Sequence, residues 1–150
     1  MRVTIELFGI DDRERMEAAR TVRFRVFVDE QHVPVEEEID DHDTTDVRAR
    51  HALVRDTQGR PTGAGRYYEL GDGGVQIGRM AVLAEARGQG IGRRLLDALL
   101  ADARTRGYTR AALNAQDHAV GFYAGAGFTP FGETLVECDI VHQPMERGIA

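Results

Sequence analysis

The residues with the plainest chemistry in this 150-residue chain are Arg87-Gly88-Gln89-Gly90-Ile91-Gly92-Arg93. Successive glycines let backbone N–H groups turn toward one point, a helix beginning there adds partial positive charge, and Arg87 and Arg93 add full charges beside it. Such a loop binds an anion, and a pyrophosphate suits it. Two familiar owners of glycine loops fail on spacing. A P-loop closes with Lys followed by Ser or Thr, whereas this segment runs into Arg93-Arg94. A dinucleotide fingerprint needs a glycine where Gly88 and Gly90 place Arg93, and the acidic residue expected further on is missing. A glycine-rich turn ahead of a surface helix stays open as the plainer reading.

Metal and thiol chemistry find less support. Asp41-His42-Asp43-Thr44-Thr45-Asp46 breaks the spacing of a calcium loop, lacks its central glycine and has no closing Glu. His32, His42 and His51 do not have zinc-ligand spacing, so no metal is expected. Cys138 is the sole cysteine and has no base beside it in sequence. It reads as a small core or surface residue, not as a covalent nucleophile, and no internal disulfide can form.

The glycine loop needs a strand before it and a helix behind it. Val75 to Leu83 is apolar enough for the strand, and Ile91, Leu95, Leu96, Leu99, Leu100 and Ala103 fall on one helical face, with Gly107 as a C-terminal cap. Upstream, alternation at Val3, Ile5 and Leu7 predicts a first strand. Asp11-Asp12 then caps a helix running to Phe27 with Met16, Ala19, Val22, Arg23 and Val26 facing the core. Asp29 to Asp46 has no period and carries a run of acids, which predicts an irregular connection. His51 to Arg55 and Thr62 to Tyr68 flank a turn and read as a hairpin. Arg110 to Asn114 predicts a strand and His118 to Tyr123 a short helix. Phe131 to Val136 with Ile140 to Met145 predicts a closing strand pair. No internal repeat appears. The order gives one α/β domain over residues 1–150, with a mixed sheet and helices on both faces.

Composition agrees with one core. The chain is 42% hydrophobic and 29% charged, near globular averages, which excludes a disordered segment. A net charge of −6 opposes binding to nucleic acid or anionic membranes and favours a cationic partner. The first residues carry no long apolar run of the signal or membrane-spanning kind, so a cytoplasmic protein is expected.

The pattern Arg87, Gly90 and Gly92 after Met80-Ala81-Val82-Leu83 resembles the acetyl-CoA loop of the GNAT superfamily of N-acetyltransferases. Leu113-Asn114-Ala115-Gln116 and Gly121-Phe122-Tyr123-Ala124-Gly125-Ala126-Gly127-Phe128 are similar to that family's later strand and its FYxxxGF segment. Val26-Phe27-Val28-Asp29-Glu30-Gln31, with Val33-Pro34, Glu36, Glu38 and Asp40, and Ile140-Val141-His142-Gln143-Pro144-Met145 resemble a small bacterial subgroup, so the likeness spans nearly the whole chain. It implies a mixed, mostly antiparallel sheet splayed between two parallel central strands. It also implies acetyl-CoA as co-substrate, its pantetheine arm touching Met80, Ala81, Val82 and Asn114, and its pyrophosphate held by residues 87–93.

Transfer from a thioester expels a thiolate, and the resemblance makes Tyr123 the proton donor, because a phenol with ordinary pKa about 10 holds its proton at neutral pH. A packed Tyr bonded to backbone is the structural alternative. An acceptor amine must lose a proton before it attacks. His142 is the first candidate base, with a structural His bonded to backbone equally open. Glu30 is the second, if burial raises its pKa, with a solvated carboxylate as its alternative. Glu38 and Asp40 are weaker candidates. The expected activity is direct acetyl transfer to a primary amine in a ternary complex. A non-catalytic acyl-CoA-binding sensor is the rival. Neither the acceptor nor the oligomeric state follows from these residues, although the resemblance admits a homodimer.

Overall fold

The computed structural model describes residues 2–150. Strand β1 (Thr4–Phe8) leads to helix α1 (Arg13–Arg23), which is capped by Asp12 accepting a bond from the Arg15 N–H at 3.2 Å. The predicted core face of α1 is the buried one. Its end differs from expectation, because winding continues past Phe27 as a π-helix over Phe24–Glu30. The wider turn keeps Val26 in the core and brings Phe27, Glu30 and Gln31 round to one wall of a cleft. The expected irregular stretch is also partly helical, with α2 (Val35–Glu38) and α3 (Asp41–Thr44), the latter closed by a capping box between Asp40 and Asp43.

Strands β2 (Arg50–Arg55), β3 (Pro61–Glu69) and β4 (Gly74–Val82) follow in antiparallel order, and helix α4 (Ile91–Thr105) crosses back to strand β5 (Arg110–Gln116). Gly107, at φ +94°, turns the chain out of α4 as expected of a C-terminal cap. After a short turn, helix α5 (Val120–Gly125) begins two residues later than predicted. β6 (Thr129–Pro130), β7 (Leu135–Glu137) and β8 (Ile140–Gly148) complete an eight-stranded sheet in the order β1-β2-β3-β4-β5-β8-β6, with β7 also on β8. The closing pair is thus shorter on one side than Phe131–Val136. Cys138 and Asp139, at φ +50° and +62°, make the two-residue turn between β7 and β8.

Among the described residues only β4 and β5 run parallel; every other pairing is antiparallel. The sheet divides the apolar interior. Leu95, Leu96 and Leu99 of α4 pack with Ala52, Val54, Tyr67 and Ile77 on one face. Met16, Ala19 and Val22 of α1 pack with Leu53, Ala64 and Ala81 on the other. The period-2 alternation of β2, with Leu53 opposite to Ala52 and Val54, is what serves both layers.

Candidate functional site

β4 and β5 are hydrogen-bonded only from Gly74↔Arg110 to Ile77↔Leu113. Beyond that point they part, and the edge of β4 that faces β5 keeps its backbone groups unpaired by that strand. The parting coincides with a bulge. Gly78 stands opposite Arg66 and Ala81 opposite Ala64, so three steps along β4 match two along β3. Arg79, in the bulge, has φ +51°, a left-handed conformation that costs a side-chain-bearing residue roughly 1–2 kcal/mol.

The parted strands open a cleft of about 940 Å³. Met80, Ala81 and Val82 line it from β4, Asn114 from β5, Tyr123 from α5 and His142 from β8; Glu30 and Arg87 close one end. Gln31 and Gln116 bridge its two sides with a reciprocal amide pair at 2.9 and 3.3 Å, a contact that local sequence does not signal.

Of the glycine loop, Arg87 lines this cleft, and a Cβ at Gly92 would stand 4.0 Å from Val82, which also lines it. Gly88 and Gly90 have φ of +79° and +77°, and a Cβ at either would meet nothing within 4 Å, so these glycines serve backbone conformation and not crowding. Gly90 is the N-cap of α4, which leaves the N–H groups of Ile91, Gly92 and Arg93 without helical partners. Ile91 is buried and anchors the turn; Gln89 is exposed. Gly92 lies beside the Phe122 ring. The two flanking cations are not bare, as the sequence suggested. Arg87 donates to the Val82 carbonyl at 2.9 Å and pairs with Glu30 at 2.9 Å. Arg93 pairs with Asp97 at 3.1 Å and reaches the Gly125 carbonyl at 3.3 Å. Both pairs are exposed, hence weak and readily exchanged for a stronger anion.

Tyr123 packs edge-on against Phe122 and Phe128. Among the described residues its hydroxyl makes no hydrogen bond, and desolvation pushes its pKa up to about 12. The backbone-bonded alternative is therefore absent. For His142, Nδ1 lies 2.8 Å from the Ile140 carbonyl. A carbonyl only accepts, so Nδ1 carries the proton and Nε2 of the neutral ring keeps its lone pair. Both readings of this histidine hold at once: it is bonded to backbone and lines the cleft. Asn114 Nδ2 donates to Glu137 at 3.1 Å. Glu30 has the solvated surroundings of its alternative reading: its side chain is 38% exposed and paired with Arg87.

Sequence reasoning treated the acidic run as loop charge, and the fold turns part of it inward. Arg23 and Arg66, 1% and 3% exposed, meet Glu38, Asp40 and Asp43 in a buried cluster that Arg79 completes. Every strong cation in it is a guanidinium. Glu38 and Asp40 are held there by arginines. The signal available in sequence was Arg23, a charge on the apolar face of α1. Among the described residues no three His, Cys, Asp or Glu are placed to hold a metal ion, and no helix is long and apolar enough to cross a membrane.

Comparison with known proteins agrees with this geometry. A family model described as an acetyltransferase (GNAT) domain matches residues 14–148. The uncharacterized N-acetyltransferase YjcF of Bacillus subtilis is 36% identical over 137 residues, covering 91% of this chain and 94% of its own. Among solved structures, an acyl-CoA N-acyltransferase from Pseudomonas aeruginosa is 29% identical with a TM-score of 0.86, covering 97% of this chain and 99% of that one. ElaA of Escherichia coli is 26% identical with a TM-score of 0.84 over the same shares.

Proposed function

The chain belongs to the GNAT acetyltransferase family, and from that premise we propose that it moves the acetyl group of acetyl-CoA to a primary amine, with Tyr123 as general acid and His142 as general base. Acyl-CoA-dependent N-acetyl transfer comes with membership; the acetyl donor, the acceptor class and the residue roles are our reading. The observation that carries it is one cleft holding an unbonded phenol and an imidazole with a free Nε2, lined also by Arg87 of the glycine loop.

The loop N–H groups at residues 91–93 hold the pyrophosphate, and Arg87 and Arg93 exchange their carboxylate partners for it. The unpaired edge of β4 from Gly78 to Val82 lies along the pantetheine arm and donates backbone N–H groups to the thioester carbonyl. His142 Nε2 takes a proton from the acceptor ammonium, and the freed amine attacks the carbonyl carbon. As the tetrahedral adduct collapses, the C–S bond breaks and the Tyr123 hydroxyl supplies a proton to the departing sulfur; the proton shed by the new amide nitrogen restores the phenol. A phenol at about 12 is a weak donor to an ordinary thiolate. The same desolvation raises the thiol, which narrows the mismatch. Glu30, tied to Arg87 at the surface, is the less suited base.

Calorimetric titration with acetyl-CoA, beside the Gly90→Asp variant, tests the cofactor site. Wild-type binding that the variant abolishes is expected, because the substitution puts a carboxylate into the anion cradle at a left-handed position. Absence of binding by the wild type refutes the reading.

A further inference from the structure

The buried charge cluster lines one wall of the cleft with Glu38, Arg66 and Arg79, and it is Arg79 that ties it to the bulge of β4. Arg79 Nε donates to Glu38 Oε2 at 3.0 Å and to the Glu38 carbonyl at 3.2 Å. Glu38 cannot follow Arg79 if it moves. Arg23 donates to the same carboxylate oxygen from Nε at 3.1 Å and Nη2 at 2.7 Å, and from Nη2 to the same carbonyl at 2.9 Å. Arg23 also grips both oxygens of Asp43, at 2.7 and 2.8 Å. Asp43 accepts in addition from Arg66, the residue opposite Gly78 where the bulge begins. Helices α1, α2 and α3 and strand β3 are thereby all tied to the position of Arg79.

We propose that Arg79 is a positioning residue for acyl transfer: through Glu38 and Arg23 it holds the β4 bulge, and so decides which backbone and side-chain groups of β4 face the thioester. The inference rests on the reading of the cleft as the acyl-CoA site. Its physical core is register. A bulge is one residue out of step, and a strand that loses it presents every later residue to the opposite face. Ala81, now packed against α1, would exchange sides with its neighbours Met80 and Val82, which pack toward α4. The unpaired donors along β4 would be re-aimed with them. An arginine does not adopt a left-handed conformation on its own account, so the conformation persists because its guanidinium is held.

The backbone requirement and the tether can be separated at this position. Arg79→Gly removes the guanidinium and tolerates left-handed and right-handed backbone alike, so this variant is expected to fold with nothing left to hold the bulge; Arg79→Lys keeps a shorter cationic tether. The readout is the infrared stretch of the thioester carbonyl in bound acetyl-CoA, carbon-13 labelled at that carbon, with affinity measured in parallel by calorimetry; neither needs an acceptor. The expected result, read at acetyl-CoA concentrations that calorimetry shows to be saturating for each protein, is a stretch shifted to lower frequency in the wild type, returned toward the free value in Arg79→Gly, and partly recovered in Arg79→Lys. An equal shift in wild type and Arg79→Gly overturns the proposal, as does a wild type that binds acetyl-CoA without any shift. A wild type that does not bind at all fails the cofactor reading instead, and the two failures are told apart by the calorimetry.

Discussion

Tyr123 and His142 were both visible in the sequence, but what makes them usable was not. The free Nε2 of His142 depends on the Ile140 carbonyl at the start of β8, and the unbonded phenol depends on what α5 does not place beside it. These are matters of a few tenths of an ångström between segments, which residue type and spacing do not encode. Tyr123→Phe is expected to lower kcat by about 10²-fold or more while leaving acetyl-CoA affinity intact. Undiminished transfer would remove Tyr123 from the mechanism, and a protein that only senses acyl-CoA has no turnover to lose. The pH profile tests the phenol. A phenol pushed up to about 12 stays protonated through the mildly alkaline range, so no loss of rate is expected there from Tyr123. His142→Gln keeps a donor for the Ile140 carbonyl but has no basic nitrogen, and should lower kcat/KM while leaving acetyl-CoA affinity intact.

Between elements, periodicity succeeded where one face meets one core. α1, α4, β2, β3 and β4 stand where alternation placed them. It failed where a single inserted residue changes the geometry, as in the π-wound end of α1 and the bulge at Arg79, because partners elsewhere stabilise each insertion. The fate of the acidic run was set by Arg23 and Arg66, between fifteen and twenty-six residues away. The cluster they build also predicts how stability depends on pH. His51, buried beside it and bonded to the His42 carbonyl at 3.0 Å, has its pKa lowered by desolvation to about 4. An unfolded histidine protonates near 6.5, so the unfolded chain takes the proton first, and stability held at neutral pH is lost as pH falls from about 6.5 to about 4, by about 3 kcal/mol in full. Asp43 acts later. Desolvation works against its charge, but Arg23 and Arg66 outweigh it and hold the carboxyl far below the usual range, so its share goes only below about pH 4. Urea titrations at neutral pH and near pH 5 should show the first loss. His51→Gln, which keeps a donor for the His42 carbonyl, should flatten it.

At the scale of the molecule, the α/β class and the mixed sheet were readable from element order, since a strand, helix, strand series after antiparallel strands leaves few arrangements. The opening between β4 and β5 was not, because periodicity cannot say where two paired strands part. Charge composition holds one more consequence. All nineteen Lys-or-Arg positions of the chain are Arg, so the guanidiniums of the buried cluster are the rule throughout and not a local choice. A lysine amine is the kind of nucleophile an acetyltransferase seeks, and an enzyme that gathers thioester about itself exposes its own lysines to the same reaction. A guanidinium stays protonated and offers no free lone pair. The protein is in this sense inert toward its own reagent. After long incubation with excess acetyl-CoA at mildly alkaline pH, its intact mass should rise by no more than one hydroxylamine-resistant acetyl group, on the α-amine. Its ion pairs should then survive a rise in cellular thioester that would strip the charge from a lysine-built counterpart.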